Sequence, residues 1–187
     1  MNRRNQFFKS FFSQFTVHSS LFTCLLLLSG CGYSATSMLP GNLKTVYVET
    51  FQNNINFAAE RGRNLYFPLL EQKVRAAIVD RYQFDGNLKM GQPGSSDLVL
   101  RGKLNSYERS ALRFTDNDDV QEYRVHVIVS LELYDTATGA VRWSEPSFAG
   151  EATYFVTGPT ATTEESAVEQ AVIDLARRIV ERTIEDW

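Results

Sequence analysis

One alternating run limits what this chain can fold into more than any other feature. From Val120 to Tyr134, the residues Tyr123, Val125, Val127, Val129, Leu131 and Leu133 share one face, and Glu122, Arg124, His126, Ile128, Ser130, Glu132 and Tyr134 share the other. Apolar residues at every second position specify a strand with one face on a core and one face wet, the pattern of an antiparallel sheet. A partner strand precedes it. Over Asp97–Tyr107, Leu98, Leu100, Gly102 and Leu104 lie on one side, and Val99, Arg101, Lys103, Asn105 and Tyr107 on the other. Residues 108–113 can extend this strand, and the acidic stretch Asp116–Asp119 makes the turn between the two. Asp135–Gly139 reads as a second hairpin, with Gly139 free to take a positive φ. The return strand starts at Ala140–Trp143, is interrupted by Pro146 and resumes over Phe148–Val156; a proline there implies a bulge or an edge position.

Two segments switch to helical spacing. Leu70, Val74, Ala77, Ile78 and Arg81 form a stripe within residues 65–84. Pro68 fits only a first turn, so this helix is expected to start near Phe67, and Asp85-Gly86-Asn87 stops it. Thr162 with Glu165 matches a capping box, after which Val168, Val172, Leu175 and Ile179 run toward Ile184. Acids open this second helix and Arg177, Arg178 and Arg182 sit toward its end, which suits the helix dipole. Near the start of the chain, Lys44–Phe51 alternates, with Val46, Val48 and Thr50 opposite Thr45, Tyr47, Glu49 and Phe51, until Gln52-Asn53-Asn54 breaks it. The order β-α-β-β-β-α predicts an α+β fold: a two-layer sandwich with two helices packed on one face of a four-stranded, mostly antiparallel sheet. The first strand, helix and second strand would make a right-handed crossover, or the sheet would be mixed.

The first 30 residues carry Arg3, Arg4 and Lys9, no acid, and an apolar run from Leu21 to Leu28 broken only by Thr23, as in a secretory signal peptide. Spanning a bilayer needs about 20 apolar residues, so a transmembrane anchor is disfavoured. Leu28-Ser29-Gly30-Cys31 resembles a bacterial lipobox. That resemblance implies cleavage before Cys31, lipidation of its thiol and acylation of the new amino terminus. The expected organisation is a removed signal peptide at 1–30, a lipidated tether at 31–43 with Pro40-Gly41, and a single α+β domain at 44–187. Gly32 in place of Asp after the lipidated cysteine favours the outer membrane, again by resemblance to enteric lipoproteins.

The remaining chemistry is sparse. Cys24 would leave with the leader and Cys31 would be lipidated, so the domain has no disulfide. The chain's net charge is −3, and losing the three leader cations makes the remainder more negative, without the basic footprint of a nucleic-acid binder. His126 is then the only histidine and reads as a strand residue. No nucleophile–base pair, phosphate loop or carboxylate dyad stands out, so neither catalysis nor a cofactor or metal is expected.

Cys31-Gly32-Tyr33, Leu39-Pro40 and the strand KTVYVETFQNN resemble the start of LptE-type lipopolysaccharide-assembly lipoproteins. Asp97–Gly102, Glu122-Tyr123-Arg124-Val125 and Asp135 through Trp143 resemble that family's later strands and hairpin. The resemblance implies a β-α-β-β-β-α roll seated inside an LptD-type outer-membrane β-barrel, which it plugs and helps assemble while lipopolysaccharide is delivered to the cell surface. It transfers no binding residues by position. From the residues themselves, Arg101 and Lys103 point the same way on a strand and are expected beside Arg124 on the next. Arg101, Lys103, Arg109, Arg113 and Arg124 are therefore the candidate patch for the anionic groups of lipopolysaccharide, which guanidinium groups match bidentately. The competing reading of these cations is a solvated sheet face. The competing role for the protein is a periplasm-facing lipoprotein that activates or recruits a cell-envelope enzyme.

Overall fold

The computed structural model describes residues 39–55 and 67–185. Cys31, the leader and most of the tether lie outside the described residues. Along the chain come β1 (Thr45–Val48), β2 (Gln52–Asn53), α1 (Leu70–Asp85), β3 (Lys89–Met90), β4 (Leu98–Phe114), β5 (Val120–Asp135), β6 (Ala140–Phe155) and α2 (Glu164–Glu185). Among the described residues the sheet has six strands in the order β3-β1-β4-β5-β6, with β2 also on β4. It is mixed: β1 is parallel to β3 and β4, β2 is parallel to β4, and β4–β5–β6 is an antiparallel meander. The expectation of two helices with a sheet holds, whereas that of four mostly antiparallel strands misses the short β2 and β3.

Both extra strands form where local signals argue for loop. Asn53 is a poor strand residue, but its side chain is used: Oδ1 accepts from the Ile55 N–H at 3.0 Å, and Nδ2 donates to Glu71 at 3.0 Å. Lys89–Met90 pairs with β1 through Lys89 N–H to the Lys44 carbonyl and Gly91 N–H to the Val46 carbonyl. Leu88, fully buried beside it, pulls this segment onto the core.

Alternation places the core as expected on β4 and β5. Leu98, Leu100, Leu104, Val125, Val127, Val129, Leu131 and Leu133 are all buried, facing the stripes of α1 (Leu70, Val74, Ile78, Tyr82) and α2 (Val168, Val172, Leu175, Ile179). Gly150 on β6 lets α2 come close: a Cβ there would fall onto the Ala171 carbonyl and the Leu175 side chain. A buried polar contact joins the helices, the Tyr82 and Thr183 hydroxyls 2.8 Å apart. Leu43, at the end of the expected tether, is itself buried.

Helix ends differ from the sequence expectation by small, explicable steps. α1 starts at Leu70, with Pro68 in the turn before it and Leu69 in the left-handed region at φ 57°. Gly86, at φ 78°, ends it. α2 is capped by Thr163, whose Oγ1 accepts from the Ser166 N–H at 3.1 Å, not by Thr162. The reason is that Thr162 still belongs to the sheet edge: its N–H donates to the Phe155 carbonyl at 3.0 Å. Among the described residues no helix is long and apolar enough to cross a membrane.

Candidate functional site

The open face of the sheet, opposite the helices, carries the charged residues of the alternating strands. Two bulges shape it. On β4, Leu104 pairs with Val129 and Ser106 with Ile128, leaving Asn105 as an extra residue; on β6, Phe148 pairs with Val129 and Glu145 with Leu131, leaving Pro146 and Ser147 opposite Ser130. Both interruptions fall beside the same stretch of β5. The Asn105 amide reaches across that strand toward the Pro146 carbonyl, at 3.4 Å. Bulges bend and twist strands locally. Here they border a groove of about 510 Å³ whose walls come from Glu49–Asn54, β4, β5 and β6.

The β4 bulge also corrects an expectation. Alternation put Tyr107 in the outward row with Arg101, Lys103 and Asn105. The extra residue reverses the phase, so Tyr107 is buried on the helix side. There its hydroxyl donates to Glu164 at 2.7 Å, Tyr154 donates to the same carboxylate at 3.2 Å, and Arg109 pairs with it. Burial, then the Glu164 hydrogen bond, push the Tyr107 phenol well above its ordinary range. This cluster pins the first turn of α2 to β4 and β6.

The five nominated cations are therefore not one patch. Arg109 lies on the helix side, its guanidinium 4.9 Å from the Tyr123 ring. Arg113 sits at the far end of the hairpin, 3.5 Å from Glu122 and 5.6 Å from the Phe155 ring. Arg124 pairs in register with Ser110, while Lys103 pairs with Ser130. Six residues of strand separate Arg124 from Ser130, roughly 20 Å at the usual rise. The expected adjacency of Arg124 to Arg101 and Lys103 is overturned by this register.

Arg101 and Lys103 do share the groove, but in different states. Arg101 bonds Glu49 at 3.1 Å, lies 4.3 Å over the Tyr134 ring, and pairs across the strands with Glu132. The Glu49 hydrogen bond holds its guanidinium pKa above the ordinary value. Lys103 has no ion-pair partner among the described residues. The groove's acids are also engaged: Glu49 by Arg101, Glu132 by the Tyr134 hydroxyl at 2.9 Å, and Glu145 by Arg182 at 3.4 Å. Sequence reasoning named Arg101 and Lys103 but missed the amides and hydroxyls of Gln52, Asn54, Ser130 and Ser144 that complete the lining. Pro146 was the one signal pointing to this part of β6. His126 lies farther along the same face, 3.2 Å from Glu151. Among the described residues no group of acids, histidines and cysteines has the arrangement of a metal site.

A family model described as LptE, lipopolysaccharide-assembly, matches residues 43–183. No curated protein matches the chain in sequence. Comparison with solved structures found several similarities. A hypothetical protein from Chlamydia trachomatis is 12% identical with a TM-score of 0.50, over 75% of this chain and 95% of that one. A protein from Xanthomonas campestris is 13% identical with a TM-score of 0.50, over 77% and 85%. The rare lipoprotein B of Shewanella oneidensis is 20% identical with a TM-score of 0.42, over 73% and 92%.

Proposed function

The chain belongs to the LptE lipopolysaccharide-assembly family, and from that premise we propose that it is an outer-membrane lipoprotein, non-catalytic, that plugs and helps assemble an LptD-type β-barrel translocon and assists delivery of lipopolysaccharide to the cell surface. Residues 1–30 are its signal peptide, residues 31–43 its tether and 44–187 its single domain, with Cys31 the lipidated residue. Lipidation supplies the anchor. One acyl chain binds a membrane only marginally, and stable anchoring takes at least two.

The structural observation that supports this reading is the asymmetry of the sheet. The helices cover the central part of one face, and the other face presents paired charges, amides and hydroxyls. A domain that must sit in a wet lumen needs such a face, because a large exposed apolar patch would drive association elsewhere. Lipopolysaccharide phosphates and carboxylates would meet Arg101 and Lys103 on this face, with Arg113 and Arg124 farther along it. Arg109 is the weakest of the five for this role, being committed to Glu164.

The test is affinity isolation of the detergent-solubilised full chain, followed by mass spectrometry of what accompanies it. Recovery of an outer-membrane barrel with lipopolysaccharide is the expected result. Recovery of a peptidoglycan synthase without a barrel would overturn the reading in favour of an enzyme-activating lipoprotein. Cys31→Ala should yield an unprocessed or soluble protein; normal maturation and outer-membrane retention of that variant would remove the lipid anchor from the proposal.

A further inference from the structure

The groove between the two bulges has an unusual hydrogen-bonding balance. Its charged groups are engaged, with one exception, whereas most of its neutral polar side chains are free. The side chains of Gln52, Asn54, Ser130 and Ser144 make no hydrogen bond to another described residue, and Lys103 makes no ion pair. Each amide offers two donors and an acceptor, and each hydroxyl offers one donor and two lone pairs. Apolar lining is confined to Leu131, whose side chain is buried in the core, and Pro146. The groove has too little apolar surface to bury an acyl chain along its length. A ligand rich in hydroxyl groups, each both donor and acceptor, would find matching partners along the groove.

We infer that this groove binds a saccharide segment carrying an anionic substituent, with the Lys103 ammonium on the anion and the free amides and hydroxyls on the sugar. Lys103 is the anchor and Arg101 is not, because Arg101 is held by Glu49 and stacked on Tyr134. The three engaged carboxylates around the rim disfavour a ligand with charge spread along its length. They leave one position where an anion meets a cation that has no ion-pair partner among the described residues. The Asn105–Pro146 contact braces the two bulged strands over β5, so the groove's width is set before any ligand arrives. Phosphorylated or carboxylated sugars of this kind occur in lipopolysaccharide cores and in peptidoglycan. The inference deepens the lipopolysaccharide reading, and rests on it only for the choice between those sources.

Isothermal titration of the full chain in detergent separates the possibilities. The probes are a lipopolysaccharide core oligosaccharide freed of acyl chains, a muropeptide, a neutral maltooligosaccharide and intact lipopolysaccharide. The core oligosaccharide should bind and the neutral sugar should bind more weakly. Lys103→Gln should weaken core binding about tenfold, the scale of one charge-assisted hydrogen bond. Lys73→Gln, which removes the same charge from the exposed side of α1, should change nothing, and circular dichroism should be the same for all three proteins. Binding of the muropeptide through Lys103 with no binding of the core would keep the groove and overturn the lipopolysaccharide reading. Binding of intact lipopolysaccharide with no saccharide binding would overturn the groove and leave that reading standing. Equal losses in the two lysine variants would also overturn the groove, since general charge alone would then account for binding.

Discussion

The two faces of the sheet are built from the same strands and stabilised by different physics. On the helix side, residues such as Leu100, Val127, Leu133 and Leu175 have no exposure at all. Each is surrounded by other apolar groups, so a lost methylene leaves a cavity that neighbours fill only in part. On the open side the contacts are exposed pairs, such as the Arg101–Glu49 ion pair and the His126–Glu151 hydrogen bond. These are partly solvated, and such pairs contribute little net stability. The difference teaches where each kind of information resides. The helix face holds the fold together, and the open face is free to be shaped for a ligand because little of the fold depends on it.

Substitutions can break or sharpen that contrast. Leu175→Ala on α2 should have the largest effect, a loss of about 2–5 kcal/mol in denaturant unfolding. An unchanged midpoint would show that this helix does not pack on the sheet. Gly150→Ala comes next. Its methyl would meet the backbone of α2, and overpacking of this kind costs about 1–3 kcal/mol. The same residue at an open-face position such as Ser130 should be nearly silent, and a chemical-denaturation comparison of the two measures the contrast directly.

Asp97 is intermediate. It joins β1 to β4 by accepting from the Lys44 N–H, the Thr45 N–H and the Thr45 hydroxyl at 2.9, 2.9 and 2.7 Å. The hydrogen bond from the Lys44 N–H, with those from Thr45, holds its carboxyl below the usual carboxylate range. A folded pKa below the unfolded value of about 4 means that this stabilisation is present above pH ~4 and is lost as pH falls through the lower folded value. Asp97→Asn should cost about 1 kcal/mol at neutral pH, the scale of one net hydrogen bond. It should also make the acid limb of the stability–pH curve shallower; an unaltered acid limb would show that Asp97 is not the group responsible. Arg101→Gln should have the smallest effect, within about 0.5 kcal/mol. A larger loss would mean that the open face carries part of the fold after all.

Much of this organisation was legible from local pattern. The alternation of Val120–Tyr134 located β5 and its buried side, and the stripe through Val172, Leu175 and Ile179 located the inner side of α2. Pro146 announced both features that β6 turned out to have, an edge position and a bulge. The site was less legible. Gln52 and Asn54 read as a strand breaker because their propensities are poor. They became groove walls because β2 pairs with β4, a contact between segments far apart in sequence.

What the sequence determined by itself was periodicity: which residues alternate, where helical spacing begins, and where glycine or proline interrupts. These are properties of neighbouring residues, and backbone geometry converts them directly into faces. What only the tertiary structure decided was phase. Between Val48 and Gln52 the chain uses one residue more than β4 does between Leu100 and Lys103, which turns Phe51 inward over Gly102. Asn105 does the same for Tyr107 and carries Arg109 to the helix side with it. A one-residue slip exchanges the two faces of a strand. Its position is set by what the partner strand and the covering helix leave room for, and no stretch of sequence read alone contains that.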